Sequence, residues 1–216
     1  MDWESFLFDM KGVLIESHFL PGVEYFCALG QHDSIVLEHH ENYVKQSYRN
    51  RCYILTTTGV ERLTIPLTNK HGKVRISDIM IDYSYGWQTN FWRTLQSAYA
   101  ASPFFEHYSD DLRKEIFSGE KFLFDLNHRL LSMCLMWLRW NKQVSVTQTY
   151  AAETSLVDLR NVISAKPDFA HRNIIRPQVY RQVFGKAFVP NLSVLDLVFC
   201  VGPEAGHTIL ASTREN

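Results

Sequence analysis

The chain lacks the sequence features of the common catalytic machines. It has no GxxxxGK(S/T) loop to cradle phosphates, no GxGxxG dinucleotide turn, no GxSxG elbow for a nucleophilic serine and no HExxH zinc pair. Its four cysteines, Cys27, Cys52, Cys134 and Cys200, lie far apart and form no CxxC pair, which excludes a zinc ribbon and a thioredoxin-type motif. Each has apolar neighbours, as in YFCAL and VFCVG, and reads as a buried thiol in a reducing compartment. Charge of one sign is not in excess. Lys and Arg number 22 against 23 Asp and Glu, a net charge of −1. That balance argues against broad nucleic-acid binding, which needs a strong positive field, but leaves room for a local basic pocket. Long apolar runs are missing too. LLSMCLMWLRW, Leu130 to Trp140, reads as the most apolar stretch and is too short to span a bilayer. The opening MDWESFLFDMK places acids where a signal peptide carries basic residues. The expectation is a cytoplasmic protein with no integral membrane segment.

What is present suffices for a sizeable core: 46% of the 216 residues are hydrophobic. Val13 to Ile15, then Pro21 and Gly22, then Val23, Phe26, Cys27 and Leu29 on one face, then SIVLE, read as strand, turn, helix and strand. Pro21 suits the first turn of that helix. Two apolar strands joined by a short helix imply a parallel pair, whose carboxyl ends are where α/β proteins collect binding groups. RCYILTTTGVERLTIPL reads as a hairpin around a Thr-Gly turn, and KVRISDIMID as a third strand. The second half is helical. GWQTNFWRTLQSAYAAS carries Trp87, Phe91, Leu95 and Ala98 at helical spacing, a pattern of core aromatics more than of a stacking surface. A second helix follows in FFEHYSDDLRKEIFSG, with Ser109 or Asp110 as cap and Gly119 at its end. EKFLFDLNHRLLSMCLMWLRWN is a long central helix, QVSVTQTY a strand, and LSVLDLVFCVG a final apolar helix. Residues 159 to 178 lack periodicity and read as a long loop, from which His171, Arg172 and Arg176 could reach an anionic ligand. The fold class is mixed α/β in a single domain, a sheet-rich N-terminal part packed with a C-terminal helical layer. Its expected bounds are an extension over 1–12, the domain over 13–210 and a tail over 211–216.

The stretch YVKQSYRNRCYIL holds the main candidate site. Read as one strand, Tyr43 to Leu55 puts Lys45, Arg49 and Arg51 on one face. Such a row is either a solvated edge or a comb of cations for phosphate or carboxylate, with Asn50 placed to fix a base or a sugar hydroxyl. A third outcome is an internal ion-pair network. Just upstream, LEHHENY offers Glu41 and His39 as general acid or base at a strand end. Adjacent histidines on a strand point to opposite sides, so no metal site is expected there. No residue pattern names a cofactor.

These blocks resemble the WbqC-like family. Tyr43, Lys45, Tyr48, Arg49, Asn50 and Arg51 look like the family's tyrosine-lysine pair followed by aromatic-Arg-Asn-Arg. FLPGVEYF is similar to its Tyr-Leu-Pro turn, ERLTIPL to its Leu-x-x-Pro strand, and Trp87, Tyr99, Pro103 and Phe105 to its helix pair. Asn191, Ser193 and Asp196 match its Asn-x-Ser-x-x-Asp helix. The resemblance implies a bacterial protein of O-antigen or other surface-polysaccharide synthesis. The implied reaction is acyl or aminoacyl transfer to a nucleotide-linked amino sugar. Tyr43, Lys45, Arg49, Asn50 and Arg51 would bind this anionic small molecule, and Glu41 or His39 would take the proton of the attacking amine. Two departures stand out. Where many members have His-Gln-Pro this chain has Ile15, Glu16 and Ser17, and where many have a histidine in the first helix it has Phe91. Catalytic chemistry, if retained, moves to His18 or His39; if lost, a noncatalytic anion-binding or scaffold protein remains.

Overall fold

The computed structural model describes residues 12–69, 72–150, 152–165 and 169–214. All of the expected N-terminal extension except Gly12 lies outside them, as do Pro167 and Asp168 of the long loop.

Strand β1 (Gly12–Glu16) is buried along its whole length, as its GVLIE sequence demands. After the Pro21–Gly22 turn comes α1 (Val23–Gly30), then β2 (Ser34–Glu38). The two strands pair in parallel, Gly12 opposite Ser34 through Glu16 opposite Glu38. Pro21 does not open α1. Gly22 holds the N-cap position without a side-chain bond. The cap comes from far along the chain, where Asn191 Oδ1 accepts the Glu24 N–H at 2.9 Å.

The expected hairpin forms as β3 (Arg51–Thr56) and β4 (Gly59–Thr64), antiparallel. The third strand does not. Ile76–Asp78 is a 3₁₀ turn, and its neighbourhood makes only isolated bridges, Asn42 to Arg75 and Leu67 to Ile81 among them. Ile76 and Ile79 are fully buried, and their three-residue spacing puts both on one side of a turn that repeats every three residues.

Helices α2 (Trp87–Tyr99), α3 (Phe105–Ile116) and α4 (Leu123–Trp137) follow as expected. In α2 the buried set is Trp87, Phe91, Leu95, Ala98 and Tyr99, which confirms the core reading of its aromatics. Ser109 and Asp110 do not cap α3, for the helix already begins at Phe105. Its start is set by tertiary contact: the Phe104 N–H donates to Phe199 O, and the Phe105 ring stands edge-on to Phe199 at 5.1 Å.

The chain then returns to the sheet with β5 (Gln143–Val146) and the short β6 (Val157–Asp158). Both are parallel to their neighbours, giving the order β5-β2-β1-β6. The sheet therefore draws strands from both halves of the sequence. A loop with one 3₁₀ turn, Phe169–Arg172, leads to α5 (Val194–Val201) and α6 (Ala205–Ser212). The α6 helix runs two residues past Leu210. Between α5 and α6, Gly202 has φ 58°, and a Cβ there would lie 2.5 Å from the Phe104 ring. Only glycine satisfies both demands.

By length and composition Val194–Ser212 is apolar enough to cross a membrane, but 61% of that stretch is buried within the protein. It is a core element broken at Gly202. All four cysteines are buried and free, and burial pushes the Cys27, Cys134 and Cys200 thiols up to about 12.

Candidate functional site

β1 and β2 end side by side in the same residue type, Glu16 and Glu38. In a parallel sheet the chain must leave both ends through loops, so these carboxylates gather whatever the following segments bring. Two linked clusters result.

In the first, Glu16 Oε1 lies 3.2 Å from His18 Nε2, and its Oε2 accepts the Asn161 backbone N–H at 2.9 Å. Glu16 is 1% exposed and His18 2%. Burial works against the Glu16 charge. The bond to His18, the nearby Arg49 guanidinium and the Asn161 N–H outweigh it and hold the carboxyl below its ordinary range. Burial lowers the pKa of His18, and Glu16 offsets only part of that, so the imidazole is neutral at pH 7. With a carboxylate as its partner, Nε2 carries the proton. Nδ1 is then a bare lone pair, buried and, among the described residues, without a hydrogen-bond partner. The ring is held between Tyr25 at 4.7 Å and Tyr48 at 5.3 Å.

Arg49 closes this cluster. Its Nε donates to Glu41 Oε1 at 2.7 Å and its Nη2 to Glu41 Oε2 at 2.5 Å. Nη2 also donates to Asn161 Oδ1 at 3.0 Å and stands 4.0 Å from Glu16. Burial opposes the guanidinium charge and Glu41 more than compensates, so Arg49 stays protonated. Burial pushes Glu41 up while Arg49 pulls it down.

The second cluster surrounds Glu38, which is fully buried. It accepts from Thr147 Oγ1 at 2.7 Å, from the His40 N–H at 2.9 Å and from Arg160 Nη1 at 2.9 Å. Arg160 also pairs with Asp158 at 2.6 Å. Consecutive residues, Arg160 and Asn161, thus tie the loop after β6 to both strand-end glutamates. Asn161 is exposed and has φ 60°, a left-handed conformation that asparagine tolerates. It bonds both members of the Glu16–Arg49 pair.

The cation row read from YVKQSYRNRCYIL does not exist. Strand β3 begins only at Arg51, and Tyr48–Asn50 is a 3₁₀ turn capped by Ser47, which accepts the Arg49 N–H. The turn swings Arg49 inward to Glu41, leaves Lys45 exposed and leaves Arg51 half-buried. The ion-pair network is the outcome realised for Arg49. Asn50 is committed as well, accepting from Tyr43 OH at 3.0 Å and donating to Ile65 O at 2.8 Å. Glu41 has both oxygens engaged by Arg49, which removes it as a free base. His39 packs on Phe124 at 4.5 Å and bonds through its N–H to Thr147, apart from the dyad. His18, noted only as a fallback, is the histidine that the fold presents. Glu16, Asn161, Arg160 and Thr147 were missed. Their only signal was an acid closing each apolar strand, VLIE and IVLE.

The C-terminal motif residues are structural. Ser193 caps α5 by accepting the Leu195 N–H and donates to Leu20 O at 2.9 Å. Asn191 also donates to Glu24, which Arg172 holds in a two-point ion pair at 2.7 and 2.6 Å. Asp196 is fully buried and accepts from Tyr99 and Tyr180, each at 2.7 Å, and from Gln182 at 2.9 Å. Phe91 packs on Phe19 at 5.8 Å, so the position where many family members carry histidine lies beside the residue after His18.

Open cavities lie elsewhere. One of 420 Å³ between α3 and α4 is lined by Asp111, Lys114, His128 and Met136, and one of 790 Å³ by Gly30, Trp140 and Lys142. Among the described residues no group of three His, Cys, Asp or Glu side chains is arranged to hold a metal.

Comparison with known proteins agrees with the sequence blocks. The uncharacterized protein Rv1507c of Mycobacterium tuberculosis is 27% identical over 225 residues, covering 90% of this chain and 95% of that one. No solved structure matches. The profile of the WbqC-like protein family matches residues 16–178 and 164–208, nearly all of the described domain, and the chain belongs to that family.

Proposed function

We propose that the protein is an enzyme of bacterial surface-polysaccharide synthesis, O-antigen included, and that it transfers an acyl or aminoacyl group to the amine of a nucleotide-linked amino sugar. The observation that carries this reading is the buried Glu16–His18 pair with His18 Nδ1 left bare. A carboxylate that fixes the tautomer of a neutral imidazole makes the opposite nitrogen a general base. In the proposed step His18 Nδ1 takes a proton from the acceptor amine as its nitrogen attacks the carbonyl carbon of an activated ester or thioester. The new C–N bond forms, the bond from that carbon to its leaving group breaks, and the imidazolium returns the proton to the leaving group. The imbalance of charge supports an amine acceptor: among the described residues, Glu16, Glu38, Glu41 and Asp158 pair with two arginines, Arg49 and Arg160. The nucleotide phosphates then lie outside this cluster. Substrate access to His18 requires a local opening of the segments that bury it, Tyr48 among them. A cytoplasmic location belongs to the same proposal.

Purified protein is offered a panel of nucleotide-linked amino sugars with acyl and aminoacyl donors, and products are read by mass spectrometry. We expect one N-acylated product, and His18→Gln should lower kcat by about a hundredfold or more. Absence of any product from folded protein across the panel rejects the transferase. A second reading, ligand binding without turnover, draws on the closure of the dyad, whose two side chains are 1% exposed. It predicts thermal stabilisation by a nucleotide-linked sugar with no product.

A further inference from the structure

Tyr150 stands out among the exposed apolar side chains. It is 57% exposed, and one face of its ring lies 4.8 Å over the Arg160 guanidinium. Surface aromatics are commonly loose, but this one rests on a fixed support. The Arg160 side chain is 7% exposed and anchored by Glu38 inside the sheet and by Asp158 beside it. The cation under the ring holds it through its quadrupole, and more than half of the side chain stays open to solvent. Tyr150 follows β5, so it sits at the same carboxyl end of the sheet as the dyad. Arg160, which carries the ring, precedes Asn161, which bonds Glu16. The platform and the base are therefore tied to the same end of the sheet through consecutive residues, Arg160 and Asn161.

We infer that Tyr150 is the stacking platform for the nucleobase of the substrate, with Arg160 as its positioning residue. The inference rests on the transferase reading for the identity of the ligand and adds where its base is held. An aromatic face that is flat, open and backed by a cation recognises a planar ring by stacking, with little demand on the base's edge. The platform should thus accept several nucleobases and owe its affinity to the ring alone.

Titration calorimetry with uridine, thymidine and guanosine diphosphates tests this, with ribose 5-phosphate as the ligand lacking a base. Wild type should bind the diphosphates, Tyr150→Phe should match it within about twofold, and Tyr150→Ala should bind at least about fivefold more weakly. Ribose 5-phosphate should bind wild type and Tyr150→Ala alike. The exposed position makes unfolding by either substitution easy to check and exclude by circular dichroism. Unchanged diphosphate affinity in Tyr150→Ala overturns the platform alone, leaving the transferase reading intact. Equal loss with ribose 5-phosphate also overturns it, because stacking would not be the cause. If wild type binds no nucleoside diphosphate, both the platform and the nucleotide-linked substrate fall together.

Discussion

His18 is the residue whose protonation couples the site to the stability of the fold. Its folded pKa lies below the ordinary histidine value because burial disfavours the charged ring. The unfolded chain therefore takes up a proton on His18 at a pH where the native protein does not. The stabilising contribution is fully present above the unfolded value of about 6.5 and is lost as pH falls toward the folded one. Glu16 adds to the same trend at lower pH, since its folded pKa is depressed below the ordinary carboxylate value. The melting temperature should fall as pH drops from 7.5 to 5.5, and His18→Gln should flatten that slope. A variant that tracks wild type over this window would show that the ring is not held neutral. Arg49 makes a different prediction. Lysine keeps the charge but cannot reproduce two parallel bonds to Glu41 and a third to Asn161. Arg49→Lys should cost about 2 kcal/mol, read from urea unfolding, because the charge stays but bonds to buried charged acceptors are lost. Arg51→Lys, at a half-buried strand start, should stay within about 0.5 kcal/mol.

At the scale of elements, the turn before α1 and the start of α5 are one joint. Asn191 caps α1, Ser193 caps α5, and Ser193 reaches back to Leu20 across the same joint. The bridge between Gly22 and Ser193 completes it. Two helices distant in sequence thus share their N-terminal hydrogen bonding through Asn191, Ser193 and the Leu20–Gly22 turn. Ser193→Ala should destabilise by about 1 kcal/mol for the lost cap and somewhat more for the stranded Leu20 carbonyl. Two-state denaturation of Ser193→Ala measures it, and a change under about 0.3 kcal/mol, well below that expectation of about 1, would show water replacing the hydroxyl. Asp196 braces the other end of this region. Among the described residues it is a buried carboxylate satisfied by three neutral donors and no cation, and burial followed by Asp196 itself raises Tyr99 and Tyr180 well above the ordinary phenol value.

For the whole molecule, α5 and α6 lie against α1 while the parallel sheet carries the site at one end. Phe199, Leu197 and Leu195 are fully buried, and each buried side chain of this size contributes about 1.5–3 kcal/mol. The Gly202 bend lets α5 and α6 both reach the core. Gly202→Ala would place a methyl 2.5 Å from the Phe104 ring at a positive φ. A loss of about 2 kcal/mol or more is expected, seen as a lower urea midpoint with an unchanged slope. Tryptophan fluorescence and circular dichroism should report the same transition in wild type, because β5 and β6 knit the two halves into one sheet.

The sequence by itself determined the parallel β1–β2 pair, the β3–β4 hairpin, the three middle helices and the family, because apolar periodicity and turn residues are local signals. The strand-end glutamates left only a weak trace in it, an acid closing each apolar run. Tertiary structure alone decided the site. YVKQSYRNRCYIL has the alternation of a strand, yet a buried Glu41 draws Arg49 inward and a 3₁₀ turn replaces the first half of that strand. No local pattern encodes that attraction, since its partners Glu16, Glu41 and Asn161 come from three separate segments. His18 looked unremarkable in sequence for the same reason. Its neutrality and its bare nitrogen arise from burial between Tyr25 and Tyr48 and from a carboxylate two residues away, and burial is a property of the folded chain, not of the residue.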